Sequence, residues 1–113
     1  MSYHDEVTNL LQDVRELIYS PDKWTTKAFA RDAKGEEVSS YKKACSYCLA
    51  GAFHYVELDY FPSVGTSARH LVEIALKKIS AIDTFTSFND SRDHNAVIDL
   101  LTTSIHMSEQ TTS

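Results

Sequence analysis

Apolar side chains recur three and four positions apart in four stretches of the chain, and this spacing puts them on one face of a helix. The first stretch covers residues 3–19 and stops before Pro21, because the residue preceding a proline is disfavoured in the helical region. The third covers about residues 67–82 and the fourth about residues 92–107. The polar residues 108–113 are predicted to form a frayed tail.

The ends of the third and fourth predicted helices carry residues that commonly cap helices. Thr66 or Ser67 is predicted to cap the third helix, and Asp90 or Ser91 to cap the fourth. The chain between these two helices, from Asp83 to Asp90, is predicted to be a connector.

The second stretch, residues 41–58, is rich in small apolar residues and is predicted to be the central helix. Its apolar face is narrow, so neighbouring elements can approach it closely. Cys45, Cys48 and Ala52 fall on that face. We expect both thiols and the alanines around them to form the inward surface against which the rest of the protein packs.

The chain between the first two predicted helices has no helical stripe, and Asp32 and Gly35 give it a turn signal. We predict a β-hairpin that pairs roughly residues 27–32 with residues 36–40, in which Gly35 supplies a positive φ. A two-stranded hairpin is marginal by itself, so it must lie on the helices, with Trp24 and Phe29 as its anchors.

These elements predict an α-rich α+β fold. Four amphipathic helices form one compact globule, and the small β-hairpin lies between helices one and two. The predicted domain is single and covers residues 1–113, with its core at about residues 3–107.

The charge of the chain is acidic, with 11 basic and 16 acidic residues and a net charge of −5. Nucleic-acid binding depends on phosphate neutralisation by Lys and Arg, so we expect no nucleic-acid partner. No apolar run reaches the length of a membrane span, and the first residues lack the pattern of a signal peptide. We therefore expect no membrane association and a cytoplasmic location.

Cys45 and Cys48 form a CxxC pair, a spacing found in redox sites and in halves of zinc sites. The chain has no second such pair and no HxxxH pair, and the CxxC falls inside the predicted central helix. We interpret both thiols as small core residues and predict no metal, no cofactor and no catalytic residue. A redox or zinc site remains the alternative.

Asn89 and Asp90 form a polar cluster between apolar residues at the start of the last predicted helix. One interpretation is a helix N-cap, in which Asn89 holds the turn. The other is a ligand site that uses free backbone N–H groups beside the two side chains. In that case a pocket would lie between the hairpin, helix two and the Asn89–Asp90 loop, and five side chains would line it: Trp24, Asp32, Cys48, Asn89 and Asp90.

Several of these short motifs together resemble a bacterial and bacteriophage domain family of unknown function. Its members carry a Trp, an alanine-rich segment with Asp and Gly, a Trp-Cys-x-x-Gly-Ala helix and a late Trp-Asn-Asp. Tyr47 and Phe88 stand where the family has Trp. The resemblance covers about residues 24–105 and implies a helix before them. It emphasises these positions: Trp24, Asp32, Gly35, Cys48, Gly51, Ala52, Asn89 and Asp90.

The family implies no known activity, so the function hypotheses come from the residues. The first is a small non-enzymatic interaction or accessory protein, encoded by a phage or mobile element, which acts on a host protein as a monomer or homodimer. The alternative is a protein that binds a nucleotide- or metabolite-like ligand in the pocket described above. A third hypothesis is a cysteine-dependent enzyme that uses Cys48.

Overall fold

The computed structural model describes residues 3–39, 42–80 and 84–110. Over these ranges the protein is α-rich α+β, as predicted, but it has five α-helices rather than four. The helices are α1 (Tyr3–Leu17), α2 (Leu49–Glu57), α3 (Pro62–Ile79), α4 (Phe85–Ser91) and α5 (His94–Gln110). A 3-10 turn at Pro21–Lys23 follows α1, and two short strands, β1 (Ala30–Arg31) and β2 (Ser46–Tyr47), precede α2.

The core lies where α1, α3 and α5 pack on one another, and α2 packs against α1 and α4. The apolar faces predicted for the first, third and fourth helices supply most of it, because their spacing turns one stripe of each helix inward. The fully buried side chains include Leu10, Leu11, Val14, Ile18, Val72, Leu76, Val97, Leu100 and Leu101. Helix α1 ends two residues before the predicted boundary.

Helix α5 extends further than predicted. Ser108, which was expected to begin a frayed tail, is buried in α5 and shares a hydrogen bond of 2.6 Å with Thr8 of α1. Arg15 of α1 also donates to the hydroxyl of Thr102, at 3.1 Å. The packing of α1 on α5 therefore orders the chain to Gln110, and residues 111–113 lie outside the described part.

The predicted turn at Gly35 is present, and its φ of 83° confirms the need for glycine. Arg31 forms an antiparallel bridge with Glu37 across this turn. The regular strand partner of β1 is β2, with Ala30 opposite Tyr47. The hairpin is thus shorter than predicted, and β1 lies between its return segment and β2. Residue 40, the predicted end of the return strand, lies outside the described residues.

The helix predicted over residues 41–58 is wrong in its first half. Residues 46–47 form β2, and Cys48 has extended φ and ψ of −80° and 174°, so α2 begins only at Leu49. The side chain of Cys48 caps the helix. Residues 46–47 pair with β1, whereas a helix would have paired their backbone N–H and C=O groups within its own turns. Tertiary contacts therefore override the local helical periodicity. Residue 41 lies outside the described part of the chain.

The prediction that both thiols face inward is wrong for one of them. Cys45 precedes β2 and is exposed, whereas Cys48 is only 5% exposed and Ala52 is fully buried. The inward contact surface of α2 therefore starts at Cys48.

Helix α3 begins five residues earlier than predicted. Pro62 occupies its first turn, where a missing N–H costs nothing, and the predicted caps Thr66 and Ser67 lie inside the helix. Ile79, an apolar residue near the end of the third predicted stretch, is exposed at the last turn of α3 and does not join its buried face. Ile82 lies outside the described residues.

The predicted connector before the last helix contains α4. Thr84 caps the N-terminus of α4, because its hydroxyl oxygen accepts a hydrogen bond of 3.1 Å from the N–H of Ser87. Asp93 caps α5 by accepting a hydrogen bond of 2.9 Å from an N–H of its first turn. The N-cap roles predicted for Asp90 and Ser91 are therefore wrong, since both residues belong to α4. Asp83, at the start of the predicted connector, lies outside the described residues.

Candidate functional site

Asn89 is fully buried in α4, and its side-chain amide joins three separate parts of the chain. Its Oδ1 accepts hydrogen bonds from the indole Nε1–H of Trp24 at 2.7 Å and from the N–H of Leu49 at 3.0 Å. Its Nδ2 donates to the carbonyl of Thr25 at 3.0 Å and to Oδ1 of Asp90 at 3.3 Å. We call these five residues the Asn89 cluster. The predicted role of Asn89 in a helix N-cap turn is wrong, because Asn89 lies inside α4 and three of its four hydrogen bonds are long-range.

Asp90 also holds the backbone of the segment that follows Trp24. Its Oδ1 accepts a hydrogen bond of 2.8 Å from the N–H of Lys27. Lys27 has a positive φ of 64°, a conformation that is uncommon for a side chain other than glycine. The carboxylate therefore stabilises the bend that turns the chain from Trp24 towards β1.

The next part of this segment lies directly on α2. The carbonyl oxygen of Phe29 accepts a hydrogen bond of 3.1 Å from the N–H of Cys48. A Cβ at Gly51 would lie 2.1 Å from the same oxygen, so only glycine permits this approach. The backbone of Phe29 is thereby fixed, but the residue is 62% exposed. The prediction that Phe29 anchors the hairpin on the helices is therefore wrong, because its backbone and not its ring makes the contact with α2.

Cys48 contributes to structure and has the features of an unreactive thiol. Its Sγ accepts a hydrogen bond of 3.3 Å from the N–H of Gly51. Burial raises the pKa of the Cys48 thiol, and the nearby Asp90 carboxylate raises it further, against the opposing effect of backbone N–H groups. Cys45 is a separate, exposed thiol, and both cysteines are free. The neutral form of Cys48 is a poor nucleophile.

Asp32 lies apart from the other predicted site residues. Its Oδ1 accepts hydrogen bonds from the N–H groups of Lys34 at 2.9 Å and Glu36 at 3.0 Å, which close the turn at Gly35. Arg31, its neighbour, donates to the carbonyl of Gly35 at 3.0 Å. The predicted site residues therefore divide, with Asp32 in the hairpin turn and the others around α2 and α4.

Beside the Asn89 cluster, two adjoining hollows open to solvent. The larger, which we call the main cleft, has a volume of about 630 Å³. The smaller, which we call the side hollow, has a volume of about 300 Å³. Phe29, Glu37 and Thr86 border both. The two predicted site residues that border a hollow, Cys48 and Asp90, border the side hollow.

The walls of the main cleft come from the hairpin segment and from three helices. The hairpin supplies residues from Phe29 to Ser39, α2 supplies Ala50 and His54, and α4 supplies Thr86. Helix α3 supplies Arg69. The cleft therefore opens between the hairpin, α2, α3 and α4. None of the five side chains predicted to line a pocket borders it: Trp24, Asp32, Cys48, Asn89 and Asp90.

Arg69 is one of the cleft residues that were not predicted from the sequence. Its Nε and Nη2 donate to the two carboxylate oxygens of Glu57, at 2.5 and 3.3 Å. Its guanidinium lies 5.3 Å from the ring centre of Phe53 and 6.0 Å from that of Phe85. Gly65, four residues earlier, lies before the predicted start of the third helix, so no sequence pattern marked the close approach at this glycine. A Cβ there would meet Glu57 side-chain atoms at 3.0 Å.

In the part of the chain that the structure describes, no group of three or more His, Cys, Asp or Glu side chains is placed to hold a metal ion. Over the same residues, no helix combines the length and the apolar character needed to cross a membrane.

Neither the curated proteins nor the solved structures contain a match to this chain. One family model matches residues 2–107, and it describes a family of unknown function, DUF6197. This match confirms the resemblance to an uncharacterised family. Since it covers nearly the whole sequence, the chain belongs to the family of unknown function DUF6197.

Proposed function

We propose that the protein binds a small organic ligand, of the size of a nucleotide or metabolite, in the main cleft. The observation that carries this proposal is the cleft itself. Its volume of about 630 Å³ falls within the range of about 300–1,000 Å³ typical of ligand pockets. Its walls combine four apolar residues with five polar or charged ones, which can fix the orientation of a ligand.

The exposed ring of Phe29 supports a ligand with a planar part. The ring stands at the border of the main cleft and the side hollow, with most of its surface in solvent. Its backbone is fixed on α2 by the contacts with Cys48 and Gly51. A flat ring stacked on Phe29 would bury apolar surface on both partners at little cost in ordering.

The Asn89 cluster supports a preformed site. It ties the segment after Trp24 to α4 and to the start of α2, and these same elements form the walls of the cleft. A cleft whose walls are already fixed loses less conformational entropy when a ligand binds.

A thermal-unfolding screen tests this proposal, with nucleosides, nucleotides, cyclic dinucleotides and carboxylic-acid metabolites as the compounds. A ligand at 100 times its Kd stabilises a protein by about 2.7 kcal/mol, and we expect a rise in Tm of several degrees. Ala50→Leu fills the cleft and should reduce the rise. Ala33→Leu adds the same atoms at the exposed hairpin turn and should leave it unchanged. No shift with any compound class, or an equal shift in Ala50→Leu, would contradict the proposal.

We propose, as a second candidate function, association of two copies of this chain through the corner between α2 and α3. Leu58 is 66% exposed and Phe61 is 74% exposed at this corner. Large apolar side chains exposed together are enriched at sites of protein association. Light scattering at rising protein concentration would detect self-association. The double variant Leu58→Glu with Phe61→Glu should abolish it. Tyr19→Glu, a change at an exposed aromatic residue elsewhere, should leave it unchanged. A strictly monomeric wild-type protein would count against a homodimer at this corner.

A further inference from the structure

We propose that Arg69 binds an oxyanion of the ligand, a carboxylate or a phosphate group, at the α3 end of the main cleft. This inference rests on the proposed ligand-binding function and names the chemical class of the ligand. It follows from the way in which the guanidinium is held.

The ion pair with Glu57 orients Arg69 and leaves part of its guanidinium outside the pair. Glu57 engages the edge formed by Nε and Nη2. A guanidinium has a second edge, formed by Nη1 and the other Nη2 hydrogen, which matches the two oxygens of a carboxylate or phosphate. Arg69 borders the cleft and its side chain is 35% exposed, so a ligand can reach it.

The surroundings of the pair make this guanidinium rigid. The absence of a side chain at Gly65 lets Glu57 lie against α3, and the guanidinium packs on the adjacent rings of Phe53 and Phe85. An arginine that is already ordered loses little side-chain entropy on binding. Glu57 is outside the cleft wall, so its carboxylate orients Arg69 without occupying the ligand's position.

The distribution of charge along the two hollows gives the ligand a direction. Arg69 borders the main cleft, Glu37 borders both hollows, and Lys27 and Asp90 border the side hollow. Among the residues that border the main cleft, Arg69 supplies the guanidinium charge, whereas at the side hollow the charge of Lys27 is offset by that of Asp90. An oxyanion should bind beside Arg69, and the planar part of the ligand should extend towards Phe29.

Paired probes that share a ring and differ in charge test the inference. Benzoate is compared with benzamide, and adenosine monophosphate with adenosine, by NMR titration of the intact protein. We expect each anion to shift the cleft amides of Ala50 and Thr86 and the Nε–H signal of Arg69. Each neutral partner should bind about tenfold more weakly, since a charge-assisted hydrogen bond is lost. A preference for benzoate over benzamide would indicate carboxylate binding, and a preference for adenosine monophosphate over adenosine would indicate phosphate binding.

Variants of two arginines locate the effect. Arg69→Gln should remove the preference for the anion. Arg69→Lys should retain part of it, because the positive charge remains but the paired N–H donors of the guanidinium are lost. Arg92→Gln is the matched control, because Arg92 lies 5.8 Å from the ring of Phe88 but does not border the cleft. Equal affinity for the charged and neutral probes in the wild type would overturn the inference and leave ligand binding in place. Absence of cleft shifts with both anions would also overturn it, whatever the wider screen finds.

Discussion

The indole nitrogen of Trp24 donates a hydrogen bond of 2.7 Å to the side-chain oxygen of Asn89, although 65 positions of sequence separate them. The same oxygen accepts the N–H of Leu49 at the start of α2. A single buried amide thus fixes the segment that leads into β1, the first turn of α2 and α4 relative to one another.

Asn89→Ala should destabilise the protein by about 3 kcal/mol, because it leaves the Leu49 N–H and the Trp24 indole without their acceptor. Urea unfolding measures this free energy. Asn95→Ala, at an exposed position in α5, should change it by less than about 0.5 kcal/mol. A loss in Asn89→Ala no larger than in this control would show that the cluster does not hold the fold together.

Gly51→Ala should destabilise the protein by about 3 kcal/mol or more, although the same change inside a helix usually stabilises by about 0.5–1 kcal/mol. The reason is the carbonyl oxygen of Phe29, which would lie 2.1 Å from the new Cβ. Gly35→Ala is the comparison, because its φ is positive but its surroundings are open, so we expect a loss of about 1 kcal/mol. Urea unfolding of both variants measures the difference. A stabilised Gly51→Ala would contradict the close approach.

Cys45 should react with iodoacetamide in the folded protein, and Cys48 only after unfolding. Cys45 is exposed, whereas Cys48 is buried and its pKa is raised, so little thiolate forms there at neutral pH. Mass spectrometry of the labelled protein, with and without urea, distinguishes the two sites. Cys45→Ser should leave a folded protein that takes up no label. Rapid labelling of Cys48 in the native state would revive the hypothesis of a cysteine-dependent enzyme.

Much of the helical scaffold could be predicted from the sequence. The stripes of α1, α3 and α5 are long, and each buries the apolar face that its spacing indicates. The failures are local. Residues 46–47 look helical by period, but they pair with β1, a partner that cannot be inferred from the segment itself. Pro62 carries no local signal that separates the end of one helix from the beginning of another.

The candidate site was predictable only in part. Trp24, Cys48, Asn89 and Asp90 do come together, although Asn89 acts by long-range hydrogen bonds that no spacing rule contains. Arg69 could not be assigned to the cleft, because its position depends on how α3 lies beside α2. The ligand-binding role of the predicted residues stays a prediction.

Tyr60→Phe should lower stability at neutral pH by about 1 kcal/mol and make stability less sensitive to alkaline pH. The Tyr60 hydroxyl donates a hydrogen bond of 2.6 Å to Asp13. Partial burial is the larger cause, and this hydrogen bond the next, of a Tyr60 pKa above the ordinary 10.0. Above that pH the unfolded chain loses the proton while the folded protein keeps it. Stability present at lower pH is therefore lost as the pH rises.

Urea unfolding over a series of alkaline pH values measures this effect, with Tyr19→Phe as a control at an exposed tyrosine. The wild type and Tyr19→Phe should lose stability more steeply above pH 10.0 than Tyr60→Phe. Parallel declines in all three proteins would show that Tyr60 retains no extra proton in the folded state.

The most direct test of ligand binding in the main cleft is a crystallographic soak with a library of small planar acids and their neutral analogues. We expect the acids to bind between the ring of Phe29 and the guanidinium of Arg69, with the acid group on Arg69. An empty cleft in every soak, or bound compounds confined to other surfaces, would contradict it.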